Sequence, residues 1–137
     1  SQIQSASRYG LLKGMADSEN GILMYTSSFW EGIDLSGDML EILIIAKLPF
    51  QVPSDPIVKS YGDRLLNNNM NPFMNFTVPE CILKYRQGFG RLIRTSFDQG
   101  VFIVLDNRIV TKKYGQQFQD AIPVDMQMFS TLDSLIF

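Results

Sequence analysis

Histidine is absent from these 137 residues, and cysteine and tryptophan occur once each, as Cys81 and Trp30. Without histidine and with a single thiol, the chain cannot form an internal disulfide, a zinc site or a histidine general base. Any chemistry must therefore come from carboxylates, arginines, lysines or a partner's residues. Long apolar runs are also missing: none reaches membrane-spanning length, and the opening "SQIQSASRYGLLKGM" lacks the apolar stretch of a secretory signal. The expected compartment is the cytoplasm, with no membrane partner.

What is present is a globular composition, 45% hydrophobic and 19% charged, in a length that suits one domain. The net charge of −2 conceals an asymmetry. Between Lys84 and Lys113 seven basic residues face two acidic ones, whereas residues 14–63 carry eight acids and two bases. The later region suits phosphate and the earlier one does not.

Ser5 or Ser7 can cap a first helix running to Met15. "ILMYT" (22–26), "EILIIAK" (41–47) and "VFIVLD" (101–106) read as strands, apolar enough for a parallel sheet covered on both faces. Between the last two strands lie a helix opened by Ser54 or Asp55 with Pro56 in its first turn, an Asn-rich loop over 67–76, and a second helix beginning near Pro79. "MFSTLDSLIF" spaces Met128, Leu132, Leu135 and Ile136 as a helix would, so residues 124–137 are expected to form a helical tail. Alternating strands and helices define an α/β fold with a mainly parallel sheet flanked by helices. Three strands are few for such a sheet, which predicts a domain that begins upstream of Ser1.

Ligands of open α/β sheets bind beyond the carboxyl ends of the strands. There the loops should bring Trp30, Glu31, Asp34, Phe50, Asp106 and Arg108 to one crevice. On the second helix, Gln87, Arg91 and Arg94 fall at i, i+4 and i+7, one polar face, and Cys81, Tyr85, Gly88 and Leu92 fall on another. Gly88 thus belongs where the helix meets its neighbour, and the two arginines are not expected to be neutralised within the helix. Planar guanidinium forks suit phosphate oxygens. Each feature also has a plain structural reading: a solvated arginine face, a core Trp30, a turn capped by Asp34, a core Cys81. "GFG" has neither the spacing of a dinucleotide-binding loop nor the lysine of a P-loop.

Taken in order, "SRYGLL", "SSFWEGIDLSG", "KLPFQVPSDP", "RQGFGRLIR" and "LDNRIVTKKYG" resemble the second motor domain of the DinG/XPD-like group of superfamily 2 helicases, in particular its bacterial DinG branch. The likeness runs over residues 5–123. It implies a RecA-like three-layer domain that completes an ATP site shared with the N-terminal RecA-like domain of the same parent chain. Phe29–Gly37 looks like motif V and Gln87–Arg94 like motif VI. By position, Arg91 and Arg94 would be arginine fingers aligned by Gln87. Gly32, Asp34 and Gly90 would lie at the nucleotide, and Trp30, Glu31, Phe50 and Arg108 at single-stranded DNA. The resemblance further implies ATP and Mg2+ in the parent, no iron–sulfur cluster in this segment, and no turnover by this chain alone, since the Walker sequences are absent from it. The alternative is a nucleic-acid-binding module without ATP chemistry, in which Arg91, Arg94, Lys112 and Lys113 touch backbone and Trp30 or Phe50 stacks on bases.

Overall fold

The computed structural model describes residues 40–52 and 54–131, together with Gly10, Lys13, Gly14, Asp17 and residues 21–23. Gly10, Lys13 and Gly14 are helical, within the first helix expected from the sequence. Of the strand expected over 22–26, Ile22 and Leu23 are not in a strand and the remainder lies outside the described residues.

Two parallel strands, β1 (Ile42–Ile45) and β2 (Val101–Val104), pair in the register Ile42 with Val101 through Ile45 with Val104. Both lie inside their expected ranges. The crossover between them carries α1 (Pro56–Asn67), a π-helical turn (Phe73–Thr77) and α2 (Val78–Leu92), and two short helices follow β2, α3 (Arg108–Thr111) and α4 (Gly115–Gln119).

Local chemistry explains the boundaries. The Asp55 carboxylate caps α1 by accepting the Ile57 amide at 2.8 Å, with Pro56 in the first turn where its missing N–H costs nothing. Asn69, at φ 56°, ends that helix in the left-handed conformation. Its N–H donates to the Leu66 carbonyl and that of Met70 to Leu65, the paired bonds of a Schellman motif. The loop expected over 67–76 is shorter than the sequence suggests. Asn71 Oδ1 accepts the amides of Phe73 (3.0 Å) and Met74 (3.2 Å), and this cap starts helical structure at Phe73 rather than near Pro79.

The buried face of α2 comprises Val78, Cys81, Tyr85, Gly88, Phe89 and Leu92, a one-sided stripe that seats the helix on the strands. Leu43 and Ile45 point toward it, and the Phe102 ring lies 5.3 Å from Tyr85 and 5.4 Å from Phe89. Phe118 of α4 closes on Tyr85 edge-on at 5.4 Å. Burying each large apolar side chain of this cluster contributes roughly 1.5–3 kcal/mol. Burial raises the Cys81 thiol to about 12, so it behaves as a small apolar residue. The apolar strands predict cover on both faces, yet Ile42 and Ile44, on the face away from α2, remain 48% and 55% exposed. The helical tail expected over 124–137 is not helical through Thr131, and residues 132–137 lie outside the described residues. Met126 instead accepts the Tyr85 hydroxyl at 3.6 Å through its sulfur, so this stretch packs against the core without forming a helix.

Gly115 starts α4 where the backbone of α3 passes against it. An added Cβ would stand 2.6 Å from the Ile109 carbonyl carbon and 2.9 Å from the Arg108 oxygen, both backbone atoms that cannot swing aside. Gly115→Ala should therefore lower stability by about 1–3 kcal/mol, read as a lower denaturant midpoint; an unchanged midpoint would show that the two short helices separate freely.

Candidate functional site

Two groups of candidate residues lie at opposite ends of the strand pair. The first is at the amino ends. Here α2 stops at Leu92, whose successor Ile93 is extended (φ −119°, ψ 104°). Arg94 therefore does not continue the helical face of Gln87 and Arg91, contrary to the i, i+4, i+7 expectation. Both arginines nevertheless line one half-open cleft of about 300 Å³, with Leu40, Glu41, Phe97 and Asp98. Gln87 is exposed one turn before Arg91.

Arg91 is half-buried, and its Nε is buried with no hydrogen-bond partner among the described residues. A charged donor removed from water without an acceptor costs at least about 1–3 kcal/mol. Gly90 is exposed beside it, and a Cβ there would meet no heavy atom within 4 Å. Its helix-interior glycine penalty is thus not offset by packing, in contrast to Gly88 on the buried face.

Asp98 was not singled out in the sequence, where the arginines are expected to lack a carboxylate one turn away. It lies four residues after Arg94 and accepts the amides of Arg94 (2.7 Å) and Thr95 (2.8 Å) and the Thr95 hydroxyl (2.9 Å). These bonds, with the Arg94 charge as the smallest contribution, hold its carboxyl below the usual carboxylate range. The "TSFD" spacing, a hydroxyl residue three before an acid, is the signal that could have pointed to it.

The second group is at the carboxyl ends. Of the six residues expected in one crevice, Phe50, Asp106 and Arg108 come together, whereas Trp30, Glu31 and Asp34 lie outside the described residues, as does Gly32. Asp106 is buried and accepts the Leu48 amide at 2.8 Å, tying the exit of β1 to that of β2. Arg108 donates to the same carboxylate through Nε (2.9 Å) and its terminal nitrogen (2.6 Å), and its guanidinium lies 5.0 Å over the Phe50 ring. Chiefly through Arg108, then the Leu48 and Arg108 amides, the Asp106 carboxyl is held down at about 2 against the cost of its burial. The Arg108 side chain stays 37% exposed, so its outer edge still meets solvent. Phe50 is not a free platform. It stacks on Phe73 at 5.8 Å and meets Tyr114 and Phe118 edge-on.

Among the described residues no group of three or more carboxylates or cysteines could hold a metal ion, and no helix is long and apolar enough to cross a membrane.

A parallel strand pair with helices packed against it is consistent with a partial RecA-like α/β domain. The chain belongs to the helicase C-terminal domain family, whose model matches residues 1–125. It is 41% identical over 113 residues to the ATP-dependent DNA helicase YoaA of Haemophilus influenzae, covering 82% of this chain and 18% of that protein. It is 42% identical over 113 residues to the 3'-5' exonuclease DinG of Bacillus subtilis (82% and 12%), and 44% identical over 102 residues to the ATP-dependent DNA helicase DinG of Photobacterium profundum (74% and 15%). The chain thus spans less than a fifth of the length of each of these relatives.

Gly90→Ala is expected to raise stability by roughly 0.5–1 kcal/mol, because the new methyl fills open space and removes the glycine penalty; a lower denaturant midpoint would reveal a packing contact on that face. Asp106 gives a pH dependence of defined sign. Its folded value lies below the unfolded one, so its stabilisation is complete above the ordinary carboxylate range and is lost as pH falls toward about 2. The contribution is roughly 2 kcal/mol. Asp106→Asn should lower stability at pH 7 and flatten the acid limb below pH 4, followed by denaturant titration at each pH; parallel limbs for the two proteins would show that the pair contributes nothing net.

Proposed function

We propose that this chain is the second motor domain of an ATP-dependent DNA helicase or translocase, and that Arg91 and Arg94 contact the phosphates of an ATP held by the N-terminal RecA-like domain of the same parent. The observation that carries this reading is the shared cleft, in which a half-buried guanidinium keeps an unpaired buried donor beside a second arginine. Phosphoryl transfer spreads negative charge over the γ-phosphate oxygens, and fixed guanidiniums stabilise that charge without reorganising. Gln87 aligns the arginine face, and the bare backbone at Gly90 lets the facing domain approach closely. Gly32 and Asp34 complete the nucleotide edge, and Mg2+ accompanies the nucleotide.

Single-stranded DNA meets the outer edge of Arg108 beside Phe50 at the carboxyl ends of the strands, and the motif V loop, which offers Trp30 and Glu31 to DNA and Gly32 and Asp34 to the nucleotide, couples the two ligands. Strands of four residues separate the two ends by about 13 Å. Closing the two motor domains on ATP would then shift the DNA-facing edge, and the hydrolysis cycle would become a step. Because the arginines act on a nucleotide bound elsewhere, this chain alone neither hydrolyses ATP nor unwinds DNA. The parent works on DNA in the cytoplasm, and no iron–sulfur cluster belongs to this segment.

The test is DNA-stimulated ATP hydrolysis by the full-length parent, wild type beside Arg91→Ala and Arg94→Ala, with single-stranded DNA affinity followed in the same samples. Each substitution should lower turnover by about 10³-fold or more while DNA affinity stays within about threefold. Retained turnover with weaker, less salt-dependent DNA binding would identify the arginines as backbone contacts of a binding module instead.

A further inference from the structure

The eight residues from Ile93 to Gly100 carry the chain from the end of α2 to the start of β2, and three attachments hold them. At the entrance the Ile93 amide makes the last helical bond, to the Phe89 carbonyl at 3.0 Å. At the exit Gly100 lies against Leu92 so closely that an added Cβ would stand 2.8 Å from Leu92 Cγ and 3.1 Å from the Glu41 oxygen. The Val101 amide then joins the ladder through Glu41 at 2.8 Å. Both ends are thus fixed by backbone and packing. The middle is held chiefly by Asp98, with both carboxylate oxygens engaged: Oδ2 by the amides of Arg94 and Thr95, Oδ1 by the Thr95 hydroxyl, whose oxygen in turn accepts the Phe97 amide at 3.3 Å. The Asp98 amide returns a longer bond to the Thr95 carbonyl at 3.3 Å.

We infer that Asp98 is the positioning residue of the arginine pair: its carboxylate fixes the turn that takes Arg94 off the axis of α2 and into the cleft lined by Arg91. The inference rests on the proposed role of that cleft. Three features support it. Arg94 lies beyond the helix, so helical geometry does not orient it as it orients Arg91. The bond from Asp98 is made to the amide of Arg94 itself, so losing it acts on the residue whose side chain lines the cleft. The carboxyl is also held ionised by its three donors, which suits a fixed acceptor and not a proton carrier.

The experiment measures kcat and KM for ATP in the full-length parent, DNA-stimulated, for Asp98→Ala, Asp98→Asn, Asp98→Glu, Arg94→Ala and the double variant Asp98→Ala with Arg94→Ala. Asp98→Ala should lower kcat by about 10²-fold and leave KM within about threefold, because displacing a transition-state group by about 1 Å has that effect. The double variant should fall within about threefold of Arg94→Ala alone, since both changes remove the same interaction. Asparagine can rescue: its carbonyl oxygen can take both amides and its NH2 can donate to the Thr95 hydroxyl, so Asp98→Asn should stay within about fivefold of wild type. Glutamate keeps the charge but displaces it by one methylene, so Asp98→Glu should lose kcat as alanine does; it carries the decision if the alanine variant does not fold. Wild-type kcat in both Asp98→Ala and Asp98→Glu, or losses that multiply in the double variant, would overturn the positioning role while leaving the arginine assignment standing. Wild-type kcat in Arg94→Ala would overturn the arginine assignment and the positioning role with it.

Discussion

Everything of functional interest in this domain depends on how α2 is seated on the β1–β2 pair. One stripe of the helix, from Val78 through Tyr85 to Leu92, is buried against Leu43, Ile45 and Phe102. Each residue of a helix advances by about 100°, so burying that stripe sets the direction of every other side chain on it. Gln87, Gly90 and Arg91 are thereby kept off the core. The same seating brings the last turn of α2 to the amino ends of the strands, where the chain must reverse into β2, and the arginine cleft forms at that reversal.

The carboxyl ends of the strands are organised differently. There a buried carboxylate, Asp106, joins the exits of both strands and holds Arg108 over an aromatic cluster. A buried carboxylate is tolerable only because four groups donate to it, two amides and two guanidinium nitrogens. Amino-end cleft and carboxyl-end network are linked through two short strands and one helix, all packed on Tyr85 and Phe102. A load applied at one end therefore meets a close-packed core before it reaches the other, and such cores move as units rather than deform gradually.

Elements with local causes were legible in the sequence. Asp55 followed by Pro56 opens α1, apolar runs form the two strands in parallel, and the Cys81, Tyr85, Gly88, Leu92 spacing marks the buried face of α2. The π-helical turn was not legible, because Asn and Pro favour loops until a particular geometry turns Asn71 into a cap. Nor was the course of residues 124–131, where helical spacing of apolar residues gives way to packing of Met126 on Tyr85. Asp98 is only weakly legible, because two of its three donors are backbone amides, which every residue carries, and the Thr95 hydroxyl three residues before it is the one side-chain signal.

Sequence alone carries the family and the chemical character of the site, since motif order and the arginine pair are properties of residue types at fixed intervals, independent of how the chain is packed. Three-dimensional packing supplied the rest: that Arg94 leaves the helix and still shares a cleft with Arg91, that Asp98 accepts the amides of Arg94 and Thr95, and that Arg108 is tied to Asp106 at the far end of the strands. Those outcomes depend on which donors and acceptors meet once the core excludes water, and residues distant in the chain, such as Leu48 and Asp106, acquire a shared hydrogen bond only then.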